Sequence, residues 1–310
     1  MNSPLISVII PTYNAEKDLA ECLNNLQQQD YPNDKIEIFV VDGGSTDKTL
    51  DIAETYKCKI LQNSRKKAPF AKAIGLMQAK GELIYLHEVD VRFSSQDWLK
   101  KMVKPLQENR GIFGVECDWG IGPDFNSFNT YCTLLKIADP LGRMLSKRNP
   151  KKVEFYDGYQ IEEYAKGDNP IMYSFLWRRD IIDQVGGWEE EFAEGNFFSK
   201  IISFGHTRFG HTNEVTALHY YVNSLLDFTK KRKKIATQYL SRPKNNTGWV
   251  EKTSKLKIFL CVFYLASIAG PFIEALTNYA KTRRIEWFWH PVASFVTVTI
   301  YVYYFITNKI

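Results

Sequence analysis

Three apolar runs in the first ninety residues each end in a polar turn, and two longer apolar runs lie near the end of the chain. The first, Leu5–Ile10, runs into Pro11-Thr12-Tyr13-Asn14. It is followed by Leu19, Cys22, Leu23 and Leu26, whose i, i+3, i+4, i+7 spacing predicts an amphipathic helix. The second, with Ile36, Ile38, Val40 and Val41, reads as a buried strand that ends at Asp42. Gly43 and Gly44 then permit a tight backbone, and Ser45, Thr46 and Asp47 are cap residues for a following helix. The third strand, Gly81–Leu86, ends in His87-Glu88-Val89-Asp90. Further on, a strand is expected over Asn213–Leu218, just before His219.

Repeated strand-then-polar-turn units predict an open α/β sheet, in which ligands collect outside the carboxyl ends of the strands. One such turn could be an ordinary connection, whereas three together favour a site. A carboxylate such as Asp42 at a strand end suits a nucleoside, because base N–H groups and ribose hydroxyls are donors. Glu88 and Asp90 are two residues apart, so an extended backbone sets both carboxylates on one face. Hard divalent cations prefer such oxygen ligands.

Ile258–Ile273 is apolar for sixteen residues and Trp287–Thr307 for twenty-one. A perpendicular span needs about twenty. The second run meets that length, with Trp287 and Trp289 as interfacial anchors, while the first is short and contains Gly270-Pro271. The expectation is a helical hairpin anchor, transmembrane or membrane-associated. Between Lys230 and Lys257 stand ten Lys or Arg residues and one acid, Glu251, a local charge of +9 in a chain whose net charge is +5. Lying beside an apolar stretch, this block predicts contact with anionic lipid and an N-terminal part on the cytoplasmic side. Asp227–Leu240 is expected to be an interfacial helix with Phe228, Ile235, Tyr239 and Leu240 as its apolar stripe. Nucleic acid is not an expected partner, since no binding motif accompanies the charge.

The length of 310 residues allows one large α/β domain with an appendage. Five cysteines without paired short spacing favour reduced thiols over a disulfide framework. MNSPLISVII has no basic leader and too short an apolar run for a signal peptide.

VIIPTYN (Val8–Asn14), VDGGSTDKT (Val41–Thr49), AKGELIYLHEVD (Ala79–Asp90) and GGWEEEFAEG (Gly186–Gly195) together resemble the family 2 inverting glycosyltransferases. The resemblance covers the first 220 residues and implies a GT-A fold, the Rossmann-like mixed sheet of nucleotide-diphospho-sugar transferases. It implies that Pro11, Thr12, Tyr13 and Asn14 wrap the base, with Asp42 and Gly43 at the nucleoside. Lys72 then stands at the diphosphate, where the family often has an arginine. Glu88 and Asp90 correspond to an Asp-x-Asp metal pair, with Mg²⁺ or Mn²⁺ as cofactor and His219 as a third ligand.

For the inverting step, the resemblance places a base in a Glu-Asp pair at a helix start. Glu194 matches the first acid, and Gly195 replaces the second. Either Glu194 is the base, on a helix expected over Asn196–Phe204, or the acceptor is an already anionic polyprenyl phosphate. Arg178 and Arg179 could hold that phosphate. No Gln-x-x-Arg-Trp motif is present, which argues against processive polymer synthesis.

The expected organisation is a GT-A domain over 1–226 (donor half to about 115, acceptor half 116–226), a basic interfacial segment over 227–256 and the hairpin over 257–310. Within the acceptor half, one helix is expected near Asn126–Ile137. The expected activity moves a sugar from a UDP- or GDP-linked donor to a lipid-linked saccharide at a cell membrane. A polyprenyl-phosphate sugar synthase and a non-catalytic nucleotide-sugar-binding scaffold are the alternatives.

Overall fold

The computed structural model describes residues 3–307 apart from 138, 146–149, 167, 169, 171–173 and 241–253, with backbone alone at 196 and 238–240. The chain forms two compact units, one of Met1–Gly120 with Asn149–His219 and one of Ile121–Arg148 with Tyr220–Ile310. Residues 121–148, expected within the acceptor half, thus group with the C-terminal helices.

The first unit is a mixed sheet with helices. Its first half runs β1 (Ile6–Thr12), α1 (Glu16–Gln27), β2 (Ile36–Asp42), α2 (Thr49–Thr55), β3 (Lys59–Gln62), α3 (Ala68–Gln78), β4 (Leu83–Leu86), β5 (Val91–Phe93), α4 (Trp98–Glu108) and β6 (Gly114–Gly120). The chain then contributes α5 (Ser127–Leu135) and α6 (Pro140–Leu145) to the second unit. It returns with β7 (Lys152–Tyr156), β8 (Tyr159–Glu163), β9 (Ser174–Arg178), α7 (Arg179–Val185), α8 (Glu194–Ser203) and β10 (Arg208–His219).

The strand order is β3-β2-β1-β4-β9-β6-β10-β8-β7, with β5 paired to β10. β1 pairs in parallel with β2 on one side and β4 on the other, so the order reverses at β1. That reversal opens the crevice where a doubly wound sheet binds ligands. Ile6, Val8, Ile9 and Ile10 of β1 are all buried because packed side chains cover both faces of the strand. Leu19, Cys22, Leu23 and Leu26 are buried on α1, as their spacing predicts. Truncating such a residue to alanine costs about 2–5 kcal/mol. On the other face, α3 packs so closely that a Cβ on Gly75 would stand 2.4 Å from Cγ2 of Ile9.

The second unit is helical: α5, α6, α9 (Leu225–Leu240), α10 (Lys255–Ala266), α11 (Ala269–Thr282) and α12 (His290–Thr307). Asn126 caps α5, its side chain accepting from the N–H groups of Phe128 and Asn129 at 3.0 and 2.9 Å. Phe128, Tyr131, Phe228, Trp287 and Ala293 form its main apolar cluster.

The expected C-terminal hairpin region is helical, with one run of span length and one bent pair. The run Ile285–Thr307 is long and apolar enough to cross a membrane, whereas α10 and α11 are separate helices bent by 78°. The break falls at Ser267–Ile268, where Ile268 has φ +58°, a strained backbone for a β-branched residue. Pro271 sits in the first turn of α11, where its missing N–H costs nothing, so it starts a helix rather than kinking one. The stripe expected on α9 also differs, for Ile235 is 37 % exposed while Arg232 is fully buried. The basic block continues through 241–253, which lies outside the described residues.

Candidate active site

At the reversal point, Thr12 and Asp42 stand side by side in register, and the Gly43 N–H donates to the Thr12 carbonyl at 2.8 Å. Asp42 is buried and gathers four donors: the N–H groups of Gly44 and Ser45 and the hydroxyls of Ser45 and Thr12. Burial pushes its carboxyl up, but those hydrogen bonds outweigh it and hold the group below the ordinary carboxylate range. Ser45 and Thr46, expected to cap α2, bond Asn14 instead. The Asn14 N–H donates to the Ser45 hydroxyl at 2.8 Å, and the Thr46 N–H donates to the Asn14 side chain at 2.9 Å. Asp47 accepts from the N–H groups of Glu16 and Thr49, tying the starts of α1 and α2 together. Asn14 holds φ +49°, a conformation asparagine tolerates.

Pro11 is the penultimate residue of β1, and Tyr13 is half-exposed just beyond it. The Lys66 ammonium lies 5.9 Å from the centre of the Tyr13 ring. A Cβ on Gly43 would be 3.3 Å from the Thr12 carbonyl oxygen and 3.5 Å from Lys66 Cα, so the turn closes tightly here. The nucleoside expectation for Pro11, Thr12, Tyr13, Asn14, Asp42 and Gly43 therefore falls on one connected turn system.

Beyond β4, Glu88 and Asp90 meet His219 from the end of β10. His219 Nε2 is 3.5 Å from a carboxylate oxygen of each acid. One ligand atom from each of the three lies within 4.8 Å of the others. The strand pairing explains the encounter, since β5 lies antiparallel to β10 with Val91 opposite His219. A register shift in β10 between Thr212 and Ala217 precedes this pairing, the kind of irregularity that re-aims a side chain beside a site. Two carboxylates and one imidazole fit a hard or borderline divalent cation that retains other ligands.

Lys72 lies almost wholly inside, and its ammonium is 2.8 Å from Glu194 Oε2. Burial alone would push the ammonium's pKa down, but the charges of Glu194 and Glu88 more than offset this and raise it. Glu194 is the first residue of α8, which begins two residues before the expected start. A carboxylate there also gains from the helix dipole. A Cβ on Gly195 would meet no atom within 4 Å, so the position where the family resemblance places an acid faces open space.

Arg178 and Arg179 are engaged differently from the expected acceptor-phosphate role. Arg178 donates to the carbonyls of Ile112 (2.8 Å), Asn109 (3.2 Å) and Leu106, so its guanidinium satisfies the end of α4. Arg179 donates to the Ala79 carbonyl at 2.8 Å and pairs with Asp183 at 2.8 Å. These contacts help fasten the fold.

His87 is a neighbour the motif reading did not single out. It is fully buried and stacked on Phe93 at 5.1 Å, and neither ring nitrogen has a hydrogen-bond partner among the described residues. Burial, helped by the Arg92 charge, lowers its pKa to about 3, so the ring is neutral.

A match to the glycosyl transferase family 2 description covers residues 7–178. The chain belongs to glycosyl transferase family 2. EpsH of Bacillus subtilis is 30% identical over 274 residues, 83% of this chain and 72% of that protein. A protein of Methanococcus voltae is 37% identical over 109 residues, 33% of this chain. It is named dolichyl N-acetyl-alpha-D-glucosaminyl phosphate 3-beta-D-2,3-diacetamido-2,3-dideoxy-beta-D-glucuronosyltransferase. Glycosyltransferase AglE of Haloferax volcanii is 26% identical over 198 residues, 62% of this chain. The chain spans only 34% and 58% of the lengths of these last two. Among solved structures, mannosyltransferase PcManGT of Pyrobaculum calidifontis, in complex with GDP-Man and Mn²⁺, matches all of this chain and 89% of that one. Its TM-score is 0.59 at 17% identity. The fold is the GT-A type that the motifs imply.

Proposed function

We propose that this family 2 transferase moves a sugar from a nucleotide-diphospho-sugar to a lipid-linked saccharide at a membrane surface. The observation that carries the reading is the convergence at the strand ends. A donor-gathering Asp42 turn, an acid–acid–imidazole cluster and a helix-start carboxylate paired with Lys72 all belong to one unit. In this reading Asp42 and the Thr12–Asn14 turn take the nucleoside, and Lys72 faces the diphosphate. Glu88, Asp90 and His219 would hold Mn²⁺ or Mg²⁺, which when bound neutralises charge on the leaving diphosphate. Glu194 accepts the proton of the acceptor hydroxyl as its oxygen bonds to the anomeric carbon and the bond to the diphosphate breaks. The name of the Methanococcus relative supports a lipid-linked acceptor, and the apolar C-terminal helices support a membrane setting.

One observation favours a second acceptor class. Gly195 supplies no carboxylate and Glu194 is already paired with Lys72, which suits an anionic polyprenyl phosphate that needs no base. The experiment is transfer from UDP- and GDP-sugars with Mn²⁺ to each acceptor class, with Glu194→Ala beside the wild type. Saccharide transfer lost in the variant supports the first reading. Transfer to the bare phosphate that survives the variant replaces it with the second.

A further inference from the structure

The buried face of α12 carries a polar stripe beside Ala293, Val298 and Ile300, and its outer face is mostly apolar. His290, Ser294, Thr297 and Tyr301 recur every three or four residues and so share one side of the helix. His290, Ser294 and Thr297 are at most 1 % exposed. His290 Nδ1 is 2.9 Å from the Tyr131 hydroxyl, and its Nε2 is 3.2 Å from Glu274. The Tyr301 hydroxyl donates to Asp139 at 2.7 Å, and the same carboxylate oxygen holds Arg232 of α9 at 2.6 Å. Phe295, Tyr303, Phe305 and Ile306 are each at least 55 % exposed. A cleft of about 530 Å³ between α10 and α12 is walled by Phe259, Phe263, Phe295 and Val302.

These contacts bear on how such a unit meets a bilayer. Tyr301 lies eleven residues after His290 and six before Thr307. At 1.5 Å per residue that is about 16 Å and about 9 Å from the two helix ends. In a perpendicular span Tyr301 would sit well inside a hydrocarbon core about 30 Å thick. It would draw the Asp139–Arg232 pair with it, and with Arg232 the rest of α9. Lys230, Lys233 and Lys234 flank Arg232 on α9 and are exposed. Lysines held in hydrocarbon are too costly for that arrangement. A spanning α12 and an intact Tyr301–Asp139–Arg232 link are therefore incompatible.

We infer that α12 does not cross the membrane, and that the C-terminal unit lies in the plane of an anionic phospholipid surface. The outer faces of α10, α11 and α12 enter the acyl boundary, and the α9 lysines meet the headgroups. The strained corner at Ile268 fits this geometry, because it folds α10 and α11 into two short helices with Phe259, Phe263, Phe272 and Ile273 outward. The paired features, an apolar outer surface and a lysine row anchored to it through Arg232, are those of an interfacial element. This inference rests on the membrane setting proposed above and specifies its mode.

The test uses the full chain. Flotation is measured with vesicles of phosphatidylcholine alone and with added phosphatidylglycerol. Leu226→Cys in α9 and Thr307→Cys at the end of α12 are then labelled with an impermeant maleimide on inverted membrane vesicles from the expression host, each site being read by peptide mass. The expected result is flotation only with the anionic vesicles, release by alkaline carbonate, and labelling of both cysteines from the same face. Lys230, Lys233 and Lys234 all changed to glutamine should weaken flotation roughly tenfold or more. Carbonate resistance with Thr307→Cys protected would show a spanning helix and overturn the in-plane mode alone. Unchanged flotation of the lysine variant would overturn the headgroup role. Absence of flotation with any vesicle would overturn the membrane setting as well.

Discussion

The sheet unit and the helical unit both bury charge, but they use it differently. In the sheet unit, charged groups stand at strand ends: Glu88 and Asp90 remain partly exposed, and Asp42 is held ionised by its own turn. In the helical unit, Asp139 holds Arg232 and Tyr301 inside the packing, and His290 lies against Tyr131 and Glu274. The first arrangement leaves capacity for chemistry, while the second spends it on holding helices together. Sequence alone does not separate the two, because both consist of single polar residues set among apolar ones.

The contrast is broken most directly by Asp90→Ala. Loss of one hard ligand should lower transfer about a thousandfold, since a bound cation supplies several kcal/mol of charge stabilisation. Thermal unfolding of the metal-free variant should match the wild type, because Asp90 is partly exposed and is proposed as a cation ligand. Glu194→Gln should reduce transfer to a hydroxyl acceptor about 10²- to 10⁴-fold, read as kcat with the donor KM little changed. Gly195→Asp, for which the structure offers space, should partly restore the rate in that background.

The opposite pattern is expected in the helical unit. Arg232→Met leaves Asp139 buried without its cation and should cost about 3–5 kcal/mol, measured by denaturant unfolding of the detergent-solubilised chain. In variant protein that remains folded, kcat with a soluble acceptor analogue should be unchanged. A large kcat loss there would erase the distinction between the units.

The smallest effect concerns His87. Its folded pKa of about 3 lies below the unfolded value near 6.5, so between those values the unfolded chain binds more protons. Stability should therefore fall with decreasing pH across that window, by up to about 1.4 kcal/mol per unit. In chelator-treated protein, His87→Leu should flatten this acid limb, as seen in melting temperature against pH.

How much of this was legible follows from periodicity and distance along the chain. Strands β1, β2 and β4 were readable because continuous apolar runs met turn residues. Helix α5 was readable from Asn126 and the pattern after it. Strand β3 was not singled out: it has four residues, and only Ile60 and Leu61 are apolar within it. The Glu88–Asp90 pair was visible in two residues of spacing, and its imidazole partner entered through family resemblance. The Lys72–Glu194 pair had no local signal, being 122 positions apart. Arg178 and Arg179 looked like anion ligands until tertiary structure gave them carbonyls to satisfy. In α12 the apolar composition concealed the His290–Tyr301 stripe, because serine, threonine and tyrosine lower mean hydropathy little and one histidine is outweighed by the apolar residues around it. Length and hydropathy thus suggested a span, while the hydrogen bonds along the helix argue for a different orientation.

The central claim is that Glu88, Asp90 and His219 form the cation site of a nucleotide-sugar transferase. The measurement that tests it most directly is Mn²⁺ titration by electron paramagnetic resonance in the presence of UDP or GDP, on the wild type, Asp90→Ala and His219→Ala. The account predicts one nucleotide-dependent site in the wild type, its loss in Asp90→Ala and at least about tenfold weaker binding in His219→Ala. Equal Mn²⁺ binding by wild type and Asp90→Ala would contradict it and send the search for the diphosphate's counter-charge to Lys72 and Lys66.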